Sequence, residues 1–144
     1  MFEIQKFVWK QQRIFETKKK YYAVDTGLIN FFDSTTQNYS KQIENIVYIH
    51  LIKSKGTVYF GSLTSGKEVD FITKNKDGIF DKYQVTQTIT NENQKQEISP
   101  FTLADQYLAK GKNYLLSFDD NEEPIHCQNT LIVRMNIFRF LLEI

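Results

Sequence analysis

Apolar positions along this chain switch period several times, and the switches mark out elements. Residues 2 to 9, FEIQKFVW, alternate imperfectly between apolar and polar and predict a strand. From there to Lys20 the chain is polar without a clear period, and no element is predicted. Tyr21 to Val24 is a short aromatic run ending at Asp25, and Asp25, Thr26 and Gly27 suit the cap of a short helix through Phe32. Ser34 to Ser40 reads as a polar connection. Between Lys41 and Lys55, apolar residues at Ile43, Ile46, Val47, Ile49, Leu51 and Ile52 form a wide helical face, and Gly56 stands at the usual stop.

Thr57 to Phe60, Glu68 to Thr73 and Ile79 to Thr88 are rich in β-branched and aromatic residues and predict three strands. Asn75, Lys76, Asp77 and Gly78 make the connection between the second and third a hairpin turn. A helix is expected from about Ser99, with Pro100 in its first turn, ending at Gly111. Asn113 to Phe118 reads as a buried strand and Leu131 to Met135 as a short one, with IFRFLLEI packing after it as a terminal helix or strand. The order predicts an antiparallel hairpin extended, across a helical crossover, by a roughly parallel strand. That is a mixed three-layer α/β arrangement.

Composition narrows this picture only modestly. At 144 residues the chain is the size of one domain with a single sizeable core. Twelve Phe and eight Tyr argue against disorder. A formal net charge of +1 gives no electrostatic footprint of the usual DNA-binding kind. Residues 1 to 24 are locally basic, while Asp119, Asp120, Glu122 and Glu123 form an acidic loop, and both read as solvated charge. The single Cys127 excludes an internal disulfide, and no apolar run approaches the roughly 18 to 20 residues that span a bilayer. A reducing, cytoplasmic setting without membrane insertion is therefore expected.

Several apparent motifs fail on context. Gly61 to Lys67, GSLTSGK, has the spacing of a phosphate-binding loop, but Glu68 stands where a magnesium-binding hydroxyl is needed. The following VDFIT is strand-like and cannot supply the helix N-terminus such a loop requires. His50 and His126 have no third ligand at a suitable spacing, and Cys127 adjoins His126 on a stretch where neighbours face opposite ways.

The set left over is Glu44, Asp70, Gln84 and Thr86. A two-residue period puts Glu68, Asp70 and Ile72 on one strand face, and Gln84 and Thr86 on a shared face of the next strand. Glu44 lies one turn into the preceding helix, where its carboxylate closes the same site from above. Convergent oxygens of this kind suit magnesium, with Glu44 and Asp70 as its candidate ligands. The plainer alternative is a helix-start charge at Glu44, a strand acid paired to a lysine at Asp70, and ordinary strand polarity at Gln84 and Thr86.

The succession KKYYAVDTGL (19 to 28), ENIVYIHLIKSKG (44 to 56), VYFGSLTSGKEVDFIT (58 to 73), YQVTQT (83 to 88) and GKNYLLSFDD (111 to 120) resembles a known module. It is similar to domain of unknown function 4143, the C-terminal domain of prokaryotic AAA-type ATPases. The resemblance implies a restriction-endonuclease-like fold with a mixed central sheet flanked by helices. It also implies that residues 1 to 18 end an upstream connector, that 19 to 144 form the nuclease-like domain, and that an ATPase domain precedes them in the same polypeptide. Glu44, Asp70 and Gln84 then stand at the positions of nuclease acids, and Thr86 at the position of a lysine.

Gln84 is neutral and Thr86 cannot act as a cation, unless Lys67 or Lys82 takes the lysine's place. The loss of such a charge is commonly worth about 3 kcal/mol or more at the transition state. The expectation is a catalytically degenerate domain serving DNA or partner recognition. Its rivals are an active magnesium-dependent nuclease and a protein-interaction or oligomerisation domain with no nucleic-acid role.

Overall fold

A computed structural model describes residues 2–8, 13–22, 39–62, 67–108 and 111–143. Among the described residues, eight strands form one sheet in the order β2-β1-β3-β4-β5-β6-β8-β7. They are β1 (Phe2–Val8), β2 (Arg13–Tyr22), β3 (Val58–Ser62), β4 (Glu68–Lys74), β5 (Phe80–Val85), β6 (Asn113–Ser117), β7 (Ile125–Cys127) and β8 (Thr130–Asn136). Three helices accompany them: α1 (Tyr39–Lys55), α2 (Gln94–Ala104) and α3 (Ile137–Leu142). The helix expected over residues 25 to 32, and Asp25 with it, lies outside the described residues.

The sheet is mixed, as the sequence predicts. β4 and β5 form the antiparallel hairpin, and β6 lies parallel to β5 across α2. In its turn the Asn75 Oδ1 accepts from the Asp77 and Ile79 N–H groups, both at 2.9 Å, and Gly78 adopts φ +77°. The parallel central strand β6 is buried on both faces, and its adjacent Leu115 and Leu116 enter opposite cores.

One core lies under α1 and α3 and joins Ile43, Val47, Tyr48, Leu51, Phe71, Tyr83, Leu116 and Ile137. The other lies under α2 and joins Val69, Ile72, Ile98, Phe101, Ala104, Leu115 and Ile132. Helix, sheet and helix make the three layers. In α1 the buried Ile43, Val47, Tyr48 and Leu51 recur at helical spacing, and Gly56 ends the helix at φ +85°, its N–H donating to the Ile52 carbonyl at 3.1 Å.

Four expectations need correction. The polar stretch after residue 9 contains β2, which pairs antiparallel with β1, while β1 runs parallel to β3. A strand at the border of a sheet takes its order from backbone pairing and does not need an alternating pattern. β5 ends at Val85, short of Thr88, and the loop beyond it is held by Asp119. That carboxylate accepts from Thr88 Oγ1 (2.5 Å), Ile89 N–H (2.8 Å) and Ser117 Oγ (2.9 Å), with Arg134 at 3.7 Å. Partial burial works against its charge, but these donors prevail and hold the carboxyl below its usual range. Asp119 is thus a staple within the acidic loop rather than solvated charge.

Helix α2 begins at Gln94, not near Ser99, and Pro100 lies inside it. A reciprocal pair starts the helix: Thr90 N–H donates to Asn93 Oδ1 (2.7 Å), and Asn93 N–H to Thr90 Oγ1 (3.2 Å). Pro100 has no N–H to offer the Gln96 carbonyl, which accepts instead from Ser99 Oγ at 3.3 Å. Residues 125 to 127, for which the sequence predicts no element, form β7 with His126 at its centre. The final apolar stretch resolves as a helix, capped by Asn136 Oδ1 accepting from Phe138 N–H at 2.9 Å.

Candidate functional site

The pairing of β3 with β4 slips by one residue. Tyr59 faces Ile72 but Gly61 faces Val69, so β4 carries an extra residue between these pairs. This is a β-bulge at Asp70 and Phe71. It breaks the alternation that placed Glu68, Asp70 and Ile72 on one face, because Val69 and Ile72 now enter the same core. Asp70 is therefore aimed by the bulge and not by the strand period.

Cα pairing of β4 with β5 reaches Phe71 and Tyr83 and goes no further. Beyond that point side chains complete the contact. Val85 N–H donates to Asp70 Oδ2 at 2.9 Å, and Asp70 N–H donates to Gln84 Oε1 at 3.2 Å. The other end of Gln84 is also engaged, its Nε2 donating to Glu97 Oε2 at 3.3 Å. Glu97 comes from the first turn of α2.

From the opposite layer, α1 brings Glu44. Its Oε1 accepts from the Tyr22 hydroxyl. The Tyr22 ring stacks on Tyr48 with centroids 4.5 Å apart and packs against Phe71 at 5.5 Å, which fixes the end of β2 over this part of the sheet. Burial and the Glu44 carboxylate push the Tyr22 hydroxyl well above its ordinary value, so it stays a donor. Two residues earlier, Lys20 Nζ lies 3.1 Å from Glu68 Oε2 and 5.0 Å from the Phe60 ring centroid. Burial works against the Lys20 charge, but Glu44, Glu68 and Asp70 together outweigh it and raise the ammonium above its ordinary value.

Burial and then the nearby Glu44 charge push the Asp70 carboxyl up to about 7, against the Val85 hydrogen bond and Lys20, with Glu97 adding to the rise. Burial also raises Glu97, with the Gln84 hydrogen bond opposing it. Beside this group opens a pocket of about 540 Å³ lined by Lys67, Glu68, Gln84, Glu92, Lys95 and Glu97, among others.

Of the expected residues, then, Asp70 and Gln84 are hydrogen-bonded, and Glu44 lies near enough for its charge to act on the Asp70 carboxyl. Thr86 follows the end of β5, with its N–H donating to the Leu116 carbonyl (3.0 Å) and its Oγ1 to the Thr88 carbonyl (3.4 Å). Neither substitute lysine is free. Lys82 is fully buried, donating to Asp105 Oδ1 (2.8 Å) and the Leu108 carbonyl (2.7 Å), and Lys67 donates to Ser99 Oγ (2.9 Å). Sequence reasoning missed Lys20, Tyr22 and Glu97. The first two sit in a stretch without a readable period, and Glu97 precedes the expected start of its helix.

The donor set does not fit a preformed magnesium site. Gln84 spends its oxygen on the Asp70 amide, and an ammonium rather than open space faces the acids. Among the described residues no three His, Cys, Asp or Glu side chains converge to hold a metal ion. His50 packs its ring edge on Phe140 at 4.9 Å, and His126 is exposed. Among the described residues no helix is long and apolar enough to cross a membrane.

No protein-family model matches this chain. It is 34% identical over 121 residues to an uncharacterized protein of Haemophilus influenzae (strain ATCC 51907 / DSM 11121 / KW20 / Rd), a match covering 81% of this chain. The chain spans only 30% of that relative's length. Among solved structures, it aligns with a refined half-complex from a tetradecameric assembly of Thermococcus gammatolerans McrB AAA+ hexamers with bound McrC. That alignment covers 67% of this chain and 27% of the other, at 9% identity and a TM-score of 0.47, too slight a likeness to establish a shared fold.

Proposed function

We propose that this chain is a catalytically degenerate, restriction-endonuclease-like domain that serves DNA or partner recognition within an AAA-type ATPase. The observation that carries this reading is the state of Gln84. Its oxygen is spent on the Asp70 amide and its nitrogen on Glu97, while Thr86 offers no cation where hydrolysis needs one. A water held at Asp70 would meet carboxylates, and the nearby ammonium of Lys20 is already paired with Glu68 instead of being left to offset charge developing on a phosphate.

The resemblance of residues 19 to 144 to the ATPase-associated module supports the setting. The relative from Haemophilus influenzae supports this chain's being one part of a longer polypeptide, since the matched segment spans 30% of that relative. In that setting the ATPase domain upstream is the first partner, and the nuclease-like scaffold supplies a shaped surface rather than a reaction.

Incubation of the full chain with supercoiled plasmid and millimolar magnesium or manganese tests the reading. The expected result is nicking no faster than that of Asp70→Ala. Metal-dependent cleavage abolished by Asp70→Ala overturns it. Titration of duplex DNA at two ionic strengths separates the two kinds of recognition, because phosphate contacts weaken steeply with salt.

A further inference from the structure

Helix α3 is apolar on both sides. Ile137, Phe140 and Leu141 turn inward against the core under α1, while Phe138 and Leu142, one turn apart on the other side, are 63% and 81% exposed. A helix that is apolar all round belongs in an interior, yet among the described residues the outer side of α3 has no cover. Phe118, 40% exposed on the loop after β6, sets its ring 5.3 Å from that of Phe138 and widens the patch.

Asn136 fixes both rings. Its Nδ2 donates to the Phe118 and Asp119 carbonyls, each at 3.2 Å, and its Oδ1 accepts from the Phe138 N–H at 2.9 Å. Its own N–H donates to Glu122 Oε1 at 2.8 Å, and Arg139 of α3 pairs with the other Glu122 oxygen. A patch held in place before its partner arrives loses little ordering entropy on binding. Single exposed apolar residues need no explanation, but two touching rings and a leucine on a braced backbone have the form of a binding anchor.

The surrounding charge selects the occupant. Asp119, Asp120, Glu122, Glu123 and Glu143 stand against two cations, and both are already paired, Arg134 with Asp119 and Arg139 with Glu122 and Glu143. Asp120 and Glu123 are exposed and have no ion pair among the described residues. Such a rim repels nucleic acid and an anionic lipid surface, and two copies of the chain meeting through this face would set acid against acid.

We propose that Phe118, Phe138 and Leu142 form the docking surface for a basic amphipathic helix of a partner protein, with its apolar side on the rings and its Lys or Arg residues facing the acidic loop. This goes beyond the reading of the acid site and uses none of its residues.

Fluorescence anisotropy of three labelled peptides with the full chain tests this: a leucine–lysine peptide with leucines at helical spacing, a leucine–glutamate peptide of the same pattern, and a scrambled leucine–lysine peptide. Wild type is expected to bind the first at least about tenfold more tightly than either other, and Phe138→Ser combined with Leu142→Ser to lose at least that factor. Asp120→Lys with Glu123→Lys, both at exposed positions, should reverse the preference between lysine and glutamate peptides, and decides alone should the first variant not fold. A leucine–lysine peptide bound no better than its controls overturns the proposal, and so does binding that the serine substitutions leave unchanged. Duplex DNA displacing the peptide, or a dimer in sedimentation that the serine substitutions dissolve, overturns it in favour of another occupant. Plasmid cleavage enters none of these readouts, so failure here and failure of the proposed function are told apart.

Discussion

Asp70 sits where a carboxylate is least comfortable, against Glu44 and Glu97 and partly sheltered from water, and its affinity for a proton rises accordingly. An acid held at about 7 when folded, against about 3.9 when unfolded, binds its proton more tightly in the native state. Its contribution to stability is complete below about pH 4 and is lost as pH rises through about 7. Asp70→Asn keeps an oxygen for the Val85 N–H and removes this slope. Urea titrations of both proteins at several pH values are expected to show the variant gaining on wild type between pH 4 and 8. The gain is about 1 kcal/mol or more, since one pKa unit corresponds to about 1.4 kcal/mol. At this scale Glu44, Asp70 and Gln84 were legible, because acids and amides at strand and helix spacing declare a possible meeting. Lys20 and Glu97 were not, since their meeting with Asp70 depends on where β2 and α2 dock, and side-chain period carries no information about docking.

Hairpin β4–β5 and helix α2 are locked together by Lys82. Its ammonium is buried between Asp105 and the Leu108 carbonyl, and Asn113 Nδ2 donates to the second Asp105 oxygen at 2.9 Å. Lys82→Met leaves Asp105 without its cation and is expected to cost about 3–5 kcal/mol by chemical denaturation. Lys82→Met combined with Asp105→Leu should recover a large part of that loss, because an apolar pair of similar volume leaves no buried charge unmatched.

Gly111 makes the second joint, between α2 and β6. It adopts φ +107°, and a Cβ there would fall 2.0 Å from the Phe80 carbonyl oxygen. Gly111→Ala therefore adds backbone strain of about 1–3 kcal/mol to a steric clash, and its melting temperature should drop by several degrees. Helix α1 and the hairpin were readable because their patterns are long or carry a distinctive turn. The start of α2 was hidden because Thr90 and Asn93 bond each other with polar side chains that read equally well as a loop.

The molecule as a whole keeps its two cores on opposite faces of one sheet, and they share β4, β5 and β6 as a common wall. Phe71 and Ile72 are adjacent and both fully buried, yet they enter different cores. Neither layer can separate without exposing that wall, so far-ultraviolet dichroism and tyrosine fluorescence should report one coincident unfolding transition in urea. Two midpoints would show that the helical layers come away independently. The three-layer arrangement was legible from the order of elements, whereas the sheet's width was not, because β2 joins through backbone pairing and a few side chains near its end, such as Lys20 and Tyr22, with no period to announce it.

The bulge in β4 makes the site a matter of counting as well as of chemistry. Because one surplus residue aims Asp70, a chain with every site residue intact but one residue fewer between Glu68 and Phe71 would regain an unbroken pleat and swing the acid away from Val85. Natural variation could then disassemble or restore this group of charges by changing strand length alone, leaving every one of its residue identities in place.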